Sequence, residues 1–241
     1  MSTVEFAEVA QRADRANSDV RAGFLAMIPF VVGYAPFALV IGSAVADSAN
    51  PLAGWSGSWL IYGGSAHLAV LRSLDAGLLV AVAGGLLVNA RLLAYSASLA
   101  QRWRTQPRWF RIVAAAMVID PTWAAAERHA ATGASEAAQR RFFLTAGVVM
   151  GVGWSALIAV GAVVGGRLDA LRLEVVVPLC LATLVGPMLH DRGGRAAVIA
   201  AASVAALGSR LPAGAVLLVA IAAGAFAGAA FPAPLDAEAA R

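Results

Sequence analysis

The feature that most constrains this chain is the stretch from Ala22 to Ala46, which contains no charged residue. A helix of about 20 apolar residues crosses the hydrocarbon core of a bilayer, and soluble helices rarely run that far without a charge. Comparable runs occupy Phe142–Gly166 and Leu211–Phe231. We therefore predict a multi-pass protein of the cell inner (plasma) membrane, in which each interruption of the apolar pattern is costly and informative.

Composition agrees with a membrane protein and excludes several other classes. The chain is 60% hydrophobic and 13% charged, against roughly 25% charged residues in a soluble domain. Every Lys or Arg position is arginine, and most lie in short loops, which indicates topology signals rather than a nucleic-acid surface. The single cysteine, Cys180, lies in an apolar run and offers no metal pair or disulfide. We expect no metal and no cofactor.

The apolar segments predict an all-α, polytopic transmembrane helical bundle with seven or eight hydrophobic segments. Residues 22–231 form the integral domain, residues 1–21 a polar cytoplasmic segment unlike a signal peptide, and residues 232–241 a short tail. The segments are Ala22–Ala46, Trp55–Leu71, Ala76–Leu99, Ile112–Ala126, Phe142–Gly166, Val175–Leu189, Ala196–Leu207 and Leu211–Phe231.

Arginine positions suggest that one segment does not cross the membrane. Arginines cluster before the first segment and again in the loop 101–111. If both clusters face the cytoplasm, an even number of crossings separates them, yet three segments lie between. Trp55–Leu71 is rich in small and polar residues, so we predict that it is a broken or re-entrant hairpin. Three full crossings, with one basic cluster outside, remain the alternative.

An internal repeat is also suggested by the sequence. A shift of 118 residues lays Gly33–Val40 on Gly151–Ile158, and it also lays Gly64-Ser65 on Ala182-Thr183. With the hairpin topology three crossings separate the two halves, so the repeat is predicted to be inverted. Inverted repeats are common in secondary transporters.

Two interrupted segments form the candidate substrate site. Pro29 and the Gly33–Phe37 stretch predict a break in the first helix, because proline removes a backbone donor and glycine loosens the chain. Such breaks expose backbone groups that hold zwitterionic substrates, although a harmless kink is the alternative. The site residues predicted from both segments are Gly33, Pro36, Phe37, Gly64, Ser65 and His67.

Polar residues inside later segments form a second candidate group, comprising Asn89, Arg91 and Asp120. A charge at the centre of a membrane helix costs roughly 2.5–3.5 kcal/mol on insertion scales, so it usually has a partner. Arg91 either pairs with Asp120 or extends its side chain to the interface. Asp120 is either a structural partner or a group that gains and loses a proton during transport.

These motifs together resemble the AzlC family, over roughly residues 20 to 190. The matching positions are Gly33, Pro36 and Phe37; Gly64, Ser65 and Ala66; Asn89 and Arg91; and Asp120. The resemblance implies the large subunit of a branched-chain amino acid exporter or permease, assembled with a small AzlD-like membrane partner. Two positions depart from the family pattern: His67 replaces a glutamine and Pro121 replaces a glutamate.

The sequence therefore predicts a secondary transporter, an exporter of branched-chain or other small neutral amino acids, rather than an enzyme. A passive channel or a non-transporting subunit remains an alternative. An intramembrane serine hydrolase using Ser65 and His67 is disfavoured, because residues two positions apart on a helix point about 200° apart.

Overall fold

All regular structure in the described part of the chain is helical, as predicted. The computed structural model describes residues 3–168, 189–190, 192–208 and 213–231. The helices are α1 (Thr3–Ala46), α2 (Pro51–Leu60), α3 (Gly64–Ser73), α4 (Leu78–Asn89), α5 (Arg91–Arg102), α6 (Arg108–Ala115), α7 (Asp120–Ala131), α8 (Glu136–Leu168), α9 (Arg192–Leu207) and α10 (Ala213–Ala229), with a 3-10 turn at Leu74–Ala76. The chain divides into two compact units, residues 1–171 and 172–241.

Two helices among the described residues, or three if one bent pair is a single span, are long and apolar enough to cross a membrane. Ala13–Ala46 and Glu136–Val164 qualify alone, and α4 with α5 qualifies as one span bent by 44°. The predicted count of seven or eight hydrophobic segments is therefore not confirmed in the described ranges. The segments Trp55–Leu71 and Ile112–Ala126 each divide into two short helices, and α9 and α10 have only 16 and 17 residues. Most of the segment Val175–Leu189 lies outside the described residues.

Helices α1 and α8 pack side by side and run parallel. Gly23 lies against the carbonyl of Phe142 near the start of α8, and Gly42 lies against the backbone of Ile158 and Gly161 farther along. Contacts that advance together along both helices mean that the two run in the same direction. Glycine permits this close approach because it has no side chain to separate the backbones.

The parallel packing of α1 and α8 contradicts the predicted inverted repeat for this pair. Equivalent helices of an inverted repeat run in opposite directions across the membrane, whereas the matched stretches Gly33–Val40 and Gly151–Ile158 lie on parallel neighbours. Their similarity has a simpler cause, since two helices in close contact both need small residues. The matched pair Ala182-Thr183 lies outside the described residues.

Helix α1 is continuous through Pro29 and Pro36, so the predicted break in the first segment is wrong. A proline removes only one backbone bond, and neighbouring helices can hold such a helix together. Here Phe37, Ala38 and Ile41 are buried in the core shared with α8. The helix also extends back to Thr3, so the polar residues 3–21 belong to the same element.

Helices α2 and α3 form a first hairpin, whose tip is residues 61–63. The indole Nε1 of Trp55 donates to the Ser155 carbonyl at 3.0 Å, and farther along Tyr62 Oη donates to the Gly147 carbonyl at 3.2 Å. Helix α2 therefore runs antiparallel to α8, starting near the carboxyl-terminal half of α8, and α3 returns beside α2. The break predicted in Trp55–Leu71 is present.

Helices α6 and α7 form a second hairpin, whose tip is residues 116–119. It begins near the start of α8, where the Phe110 and Phe143 rings lie 6.3 Å apart, and its tip reaches Gly147, where Met117 packs. Helix α7 then returns to the start of α8. The sequence had predicted one segment here, but extended backbone at Ile119 separates the two helices.

Both arginine-rich segments lie at the same end of α8. Asp19 of α1 forms an ion pair with Arg141, with 2.7 Å between Asp19 Oδ2 and Arg141 Nη2. The loop 101–111 reaches the same first turns, because Gln106 Nε2 donates to the Glu136 carbonyl at 3.0 Å. Their common position at one end of α8 is what the predicted shared side requires, and the first hairpin and the bent pair α4–α5 lie between them in the chain.

The second unit contains α9 and α10, which pack as an antiparallel pair. Gly224 lies against Ala197 and Ala201, while Gly228, one turn later, lies against Ala197 and Gly193. The glycines at a four-residue spacing in α10 therefore serve contact with α9 within this unit.

Candidate functional site

The tips of the two hairpins meet at Gly147, near the middle of the span Glu136–Val164. Tyr62 Oη of the first tip donates to the Gly147 carbonyl. From the other hairpin, the Met117 sulfur lies 2.6 Å from where a Cβ on Gly147 would stand. A side chain at this position would displace the second tip, so glycine is what permits the meeting of the hairpins.

The bend between α4 and α5 binds both tips. Asn89, the last residue of α4, donates from Nδ2 to the Ile61 carbonyl of the first tip at 2.9 Å. Arg91, the first residue of α5, pairs with Asp120 beside the second tip at 3.0 Å. The bend thus lies at the depth of both tips, and two polar side chains link three interrupted elements. The predicted pairing of Arg91 with Asp120 is present.

Asp120 occupies a favourable but accessible position. It is the first residue of α7, where the positive end of the helix dipole stabilises a carboxylate. Tyr95 Oη donates to Asp120 Oδ1 at 3.0 Å, and the Tyr95 ring stacks on Trp123 at 4.5 Å. The side chains of Arg91 and Asp120 are 45% and 38% exposed, so the described part of the protein does not enclose the pair completely.

Tyr95 was missed by sequence reasoning. Its signal was available, because it lies four residues after Arg91 and therefore on the same helical face.

The first tip closes against two aromatic rings. A Cβ on Gly64 would lie 2.7 Å from Phe37 Cε1 and 2.9 Å from Trp154 carbons. The two ring centroids are 6.0 Å apart. The structure therefore joins the predicted residues Phe37 and Gly64 and adds Trp154. That tryptophan was detectable as a large side chain within the small-residue stretch Gly151–Ser155.

Polar groups at the first tip remain unused. No side chain caps α3 at Gly63, so N–H groups in its first turn lack intrahelical acceptors. Asn89 Oδ1 lies 2.5 Å from where a Cβ on Gly63 would stand, and it has no hydrogen-bond partner among the described residues. Tyr62 has a φ of 43°, a left-handed conformation that is strained for a tyrosine and typical of functional sites.

Of the remaining predicted site residues, Gly33, Pro36 and Ser65 are at least partly accessible, whereas His67 is buried. Gly33 lies one turn before Phe37 on the same face, and no described atom lies within 4 Å of a Cβ placed there. Pro36 and Ser65 are half-buried. His67 is fully buried inside the first hairpin, with Nε2 2.8 Å from the Gly54 carbonyl. His67 therefore joins α2 to α3 and does not face Phe37.

Metal binding has no support in the part of the chain that the structure describes. No three His, Cys, Asp or Glu side chains there stand close enough together to hold an ion. The chemistry available at the site is hydrogen bonding by backbone amides, one ion pair and apolar aromatic contact.

Comparison with known proteins agrees with this architecture. The sequence model of the AzlC protein family matches residues 29–168, more than half of the chain. The match covers the carboxyl-terminal part of α1 from Pro29 onward, both hairpins, the bent pair and α8. No curated protein and no solved structure matches the chain. By this match over the elements that build the site, the chain belongs to the AzlC family.

Proposed function

We propose that this protein is a secondary transporter that exports branched-chain or other small neutral amino acids across the cell inner membrane. Family membership supports a role in membrane transport. The observation that carries the proposal is the bend between α4 and α5, where Asn89 binds the tip of one hairpin and Arg91 binds beside the tip of the other. Interrupted elements meeting at the bilayer midplane are typical of transporter sites.

In this proposal α1, α8 and the bent pair α4–α5 cross the membrane, and the two hairpins enter from opposite sides. The arginine-rich end faces the cytoplasm by the positive-inside rule. Exposed apolar side chains on these helices face lipid, among them Val32, Leu79, Leu86 and Val163. Backbone that is not helical is tolerated at this depth where it packs against protein, as Tyr62 and Val118 do at the two tips.

The substrate binds at the first tip. Its carboxylate accepts from the uncapped N–H groups of α3, where the helix dipole favours a negative charge. Its ammonium donates to Asn89 Oδ1 when the tip separates from the bend. Phe37 and Trp154 supply the apolar wall that a branched side chain requires, and the open space beside Gly33 receives that side chain.

Transport is coupled to a proton at the second tip. Protonation of Asp120 removes one charge of the pair with Arg91 and frees the second hairpin from the bend. The position of Asp120 supports this role, because the pair is not fully enclosed by the described residues and Asp120 lies beside the second tip. Family resemblance adds a small AzlD-like membrane subunit to the working assembly.

The experiment is transport of labelled valine, leucine and isoleucine in proteoliposomes, with and without the candidate small subunit. Ser65→Leu should abolish flux by filling the space beside the first tip. Gly33→Leu should also abolish flux, whereas Gly84→Leu on α4 should not, although neither glycine has a described atom within 4 Å of an added Cβ. A transporter also shows stimulation by substrate on the opposite side, which a passive channel lacks. Equal flux in all variants would refute the site.

A further inference from the structure

A groove between α5 and α6 is lined by two arginines and by apolar side chains. Its volume is about 460 Å³. It runs from the end of the first unit that carries the arginines toward the tip of the second hairpin, which contributes Val118 to its lining. The described lining residues are Ser96, Leu99, Ala100, Trp103, Arg108, Arg111, Ile112, Ala115 and Val118.

The groove changes from charged to apolar along α6. Arg108 and Arg111 line its first turn, while Ile112 and Ala115 follow toward the tip of the second hairpin. On the opposite wall, Trp103 lies at the arginine end and Leu99 lies farther in. A phospholipid has the same order of polarity, with an anionic head at the interface and acyl chains toward the bilayer centre.

Donors at the charged end are not used by the protein. Arg108 and Arg111 form no ion pair with any described residue, whereas Arg102 pairs with Glu127 and Arg141 with Asp19. Trp103 is only 4% exposed. Its indole Nε1 is buried and has no hydrogen-bond partner among the described residues. A buried donor without an acceptor costs about 1–3 kcal/mol, so a small turn of the Trp103 indole toward a ligand oxygen in the groove would be favoured.

The surroundings place the charged end at a membrane interface. Trp109 is 56% exposed and Ile112 is 72% exposed. Tryptophan is enriched at the headgroup level, and basic pockets between membrane helices on the cytoplasmic side bind anionic head groups. Free phosphate would use the arginines but would leave the apolar groove unfilled.

From the groove, the two unpaired arginines and the unpartnered indole, we propose that this surface binds an anionic phospholipid. The phosphate accepts from Arg108, Arg111 and Trp103 Nε1, and one acyl chain lies along Leu99 and Ile112. This binding does not depend on which substrate the protein transports.

Thermal unfolding of the purified full chain in neutral detergent tests the proposal. Phosphatidylglycerol should raise Tm in proportion to its concentration, and phosphatidylcholine with the same acyl chains should not, since a bound ligand stabilises the folded state by mass action. The variants Arg108→Gln with Arg111→Gln, and separately Trp103→Phe, should each reduce the shift at least about threefold. Trp103→Phe keeps an aromatic ring against Phe110 and Phe143.

A matched control keeps charge loss apart from site loss. Arg104→Gln with Arg128→Gln removes the same charge from exposed positions outside the groove, and it should leave the shift unchanged. An equal loss of the shift in this control would overturn the proposal, as would an equal shift with phosphatidylcholine. Stabilisation by inorganic phosphate or glycerol 3-phosphate as large as that by the lipid would also overturn it, in favour of a plain anion site.

Discussion

The two hairpins reach the same depth from opposite ends of α8, yet their tips are chemically different. The first tip is uncharged, has Tyr62 in a left-handed conformation and lacks a side-chain cap at Gly63. The second tip is capped by Thr122, and Asp120 beside it is held by an ion pair and a tyrosine. The proposed function therefore assigns substrate binding to the first tip and the proton to the second.

This difference assigns separate tasks to similar scaffolds. Free N–H groups and aromatic walls suit a zwitterion with an apolar side chain, whereas a half-exposed carboxylate suits a proton. Asn89 and Arg91 are only two residues apart. In the proposed mechanism, movement of one hairpin therefore shifts the side chain that binds the other hairpin. The predictions below separate substrate binding at the first tip from coupling at the second.

The largest expected effect follows from Gly64→Leu in the first tip. The new side chain would collide with the Phe37 and Trp154 rings, and overpacking of this kind costs about 1–3 kcal/mol. We expect substrate exchange in proteoliposomes to fall by up to roughly 100-fold. The double variant Phe37→Ala with Gly64→Leu removes the collision with Phe37 but not the one with Trp154, so it should recover tip closure only in part. Unchanged exchange in the single variant would show that the first tip does not need to close.

The next effect concerns the second tip, in Asp120→Asn. Asparagine keeps the size and the bond to Tyr95 but loses the charge paired with Arg91. We expect pH-driven accumulation to fall about tenfold, or ~1.4 kcal/mol, while exchange at equal pH persists.

Glu127→Gln is the matched control for Asp120→Asn, because Glu127 forms an ion pair with Arg102 on the same two helices, away from the tip. Both activities should survive in this control. Equal loss of exchange and accumulation in Asp120→Asn would leave Asp120 with a structural role only.

The smallest effect concerns the cap of the second tip, in Thr122→Val. The Thr122 hydroxyl accepts from the Ile119 amide and donates to the Met117 carbonyl at 2.7 Å, and loss of such a cap costs about 1 kcal/mol. We expect lower thermal stability with nearly normal transport. Ser56→Ala in the first hairpin, which removes only a bond to the Ala53 carbonyl, should change neither. A large transport defect in Thr122→Val would make the cap part of the mechanism.

The first hairpin could be predicted from the composition of its segment, whereas the second could not. Small and polar residues in Trp55–Leu71 are incompatible with a lipid-facing span, so the break was visible in the sequence. Ile112–Ala126 is apolar on average, and its break depends on the local structure around Ile119 and Thr122. The pair Asp120-Pro121 was nevertheless a signal for a helix start, since proline is favoured in the first turn.

Two other predictions failed because hydropathy carries no information on neighbours. Pro29 and Pro36 suggested a broken helix, but burial against α8 keeps α1 continuous. The repeat pattern suggested inversion, but side-by-side packing made two parallel helices similar. Charged residues in apolar runs gave a more reliable prediction of contacts. A charge at membrane depth needs a partner, and Arg91 and Asp120 form an ion pair with each other.

The central claim is that neither hairpin crosses the membrane. The first hairpin enters and leaves on one side, and the second enters and leaves on the other. Labelling of single cysteines, in a Cys180→Ser background and in vesicles of both orientations, tests it directly. Ala49 and Asp75 flank the first hairpin, and Thr105 and Thr132 flank the second. The account predicts that the first pair labels from one side and the second pair from the other. If the members of either pair label from opposite sides, that hairpin crosses the membrane and the account is wrong.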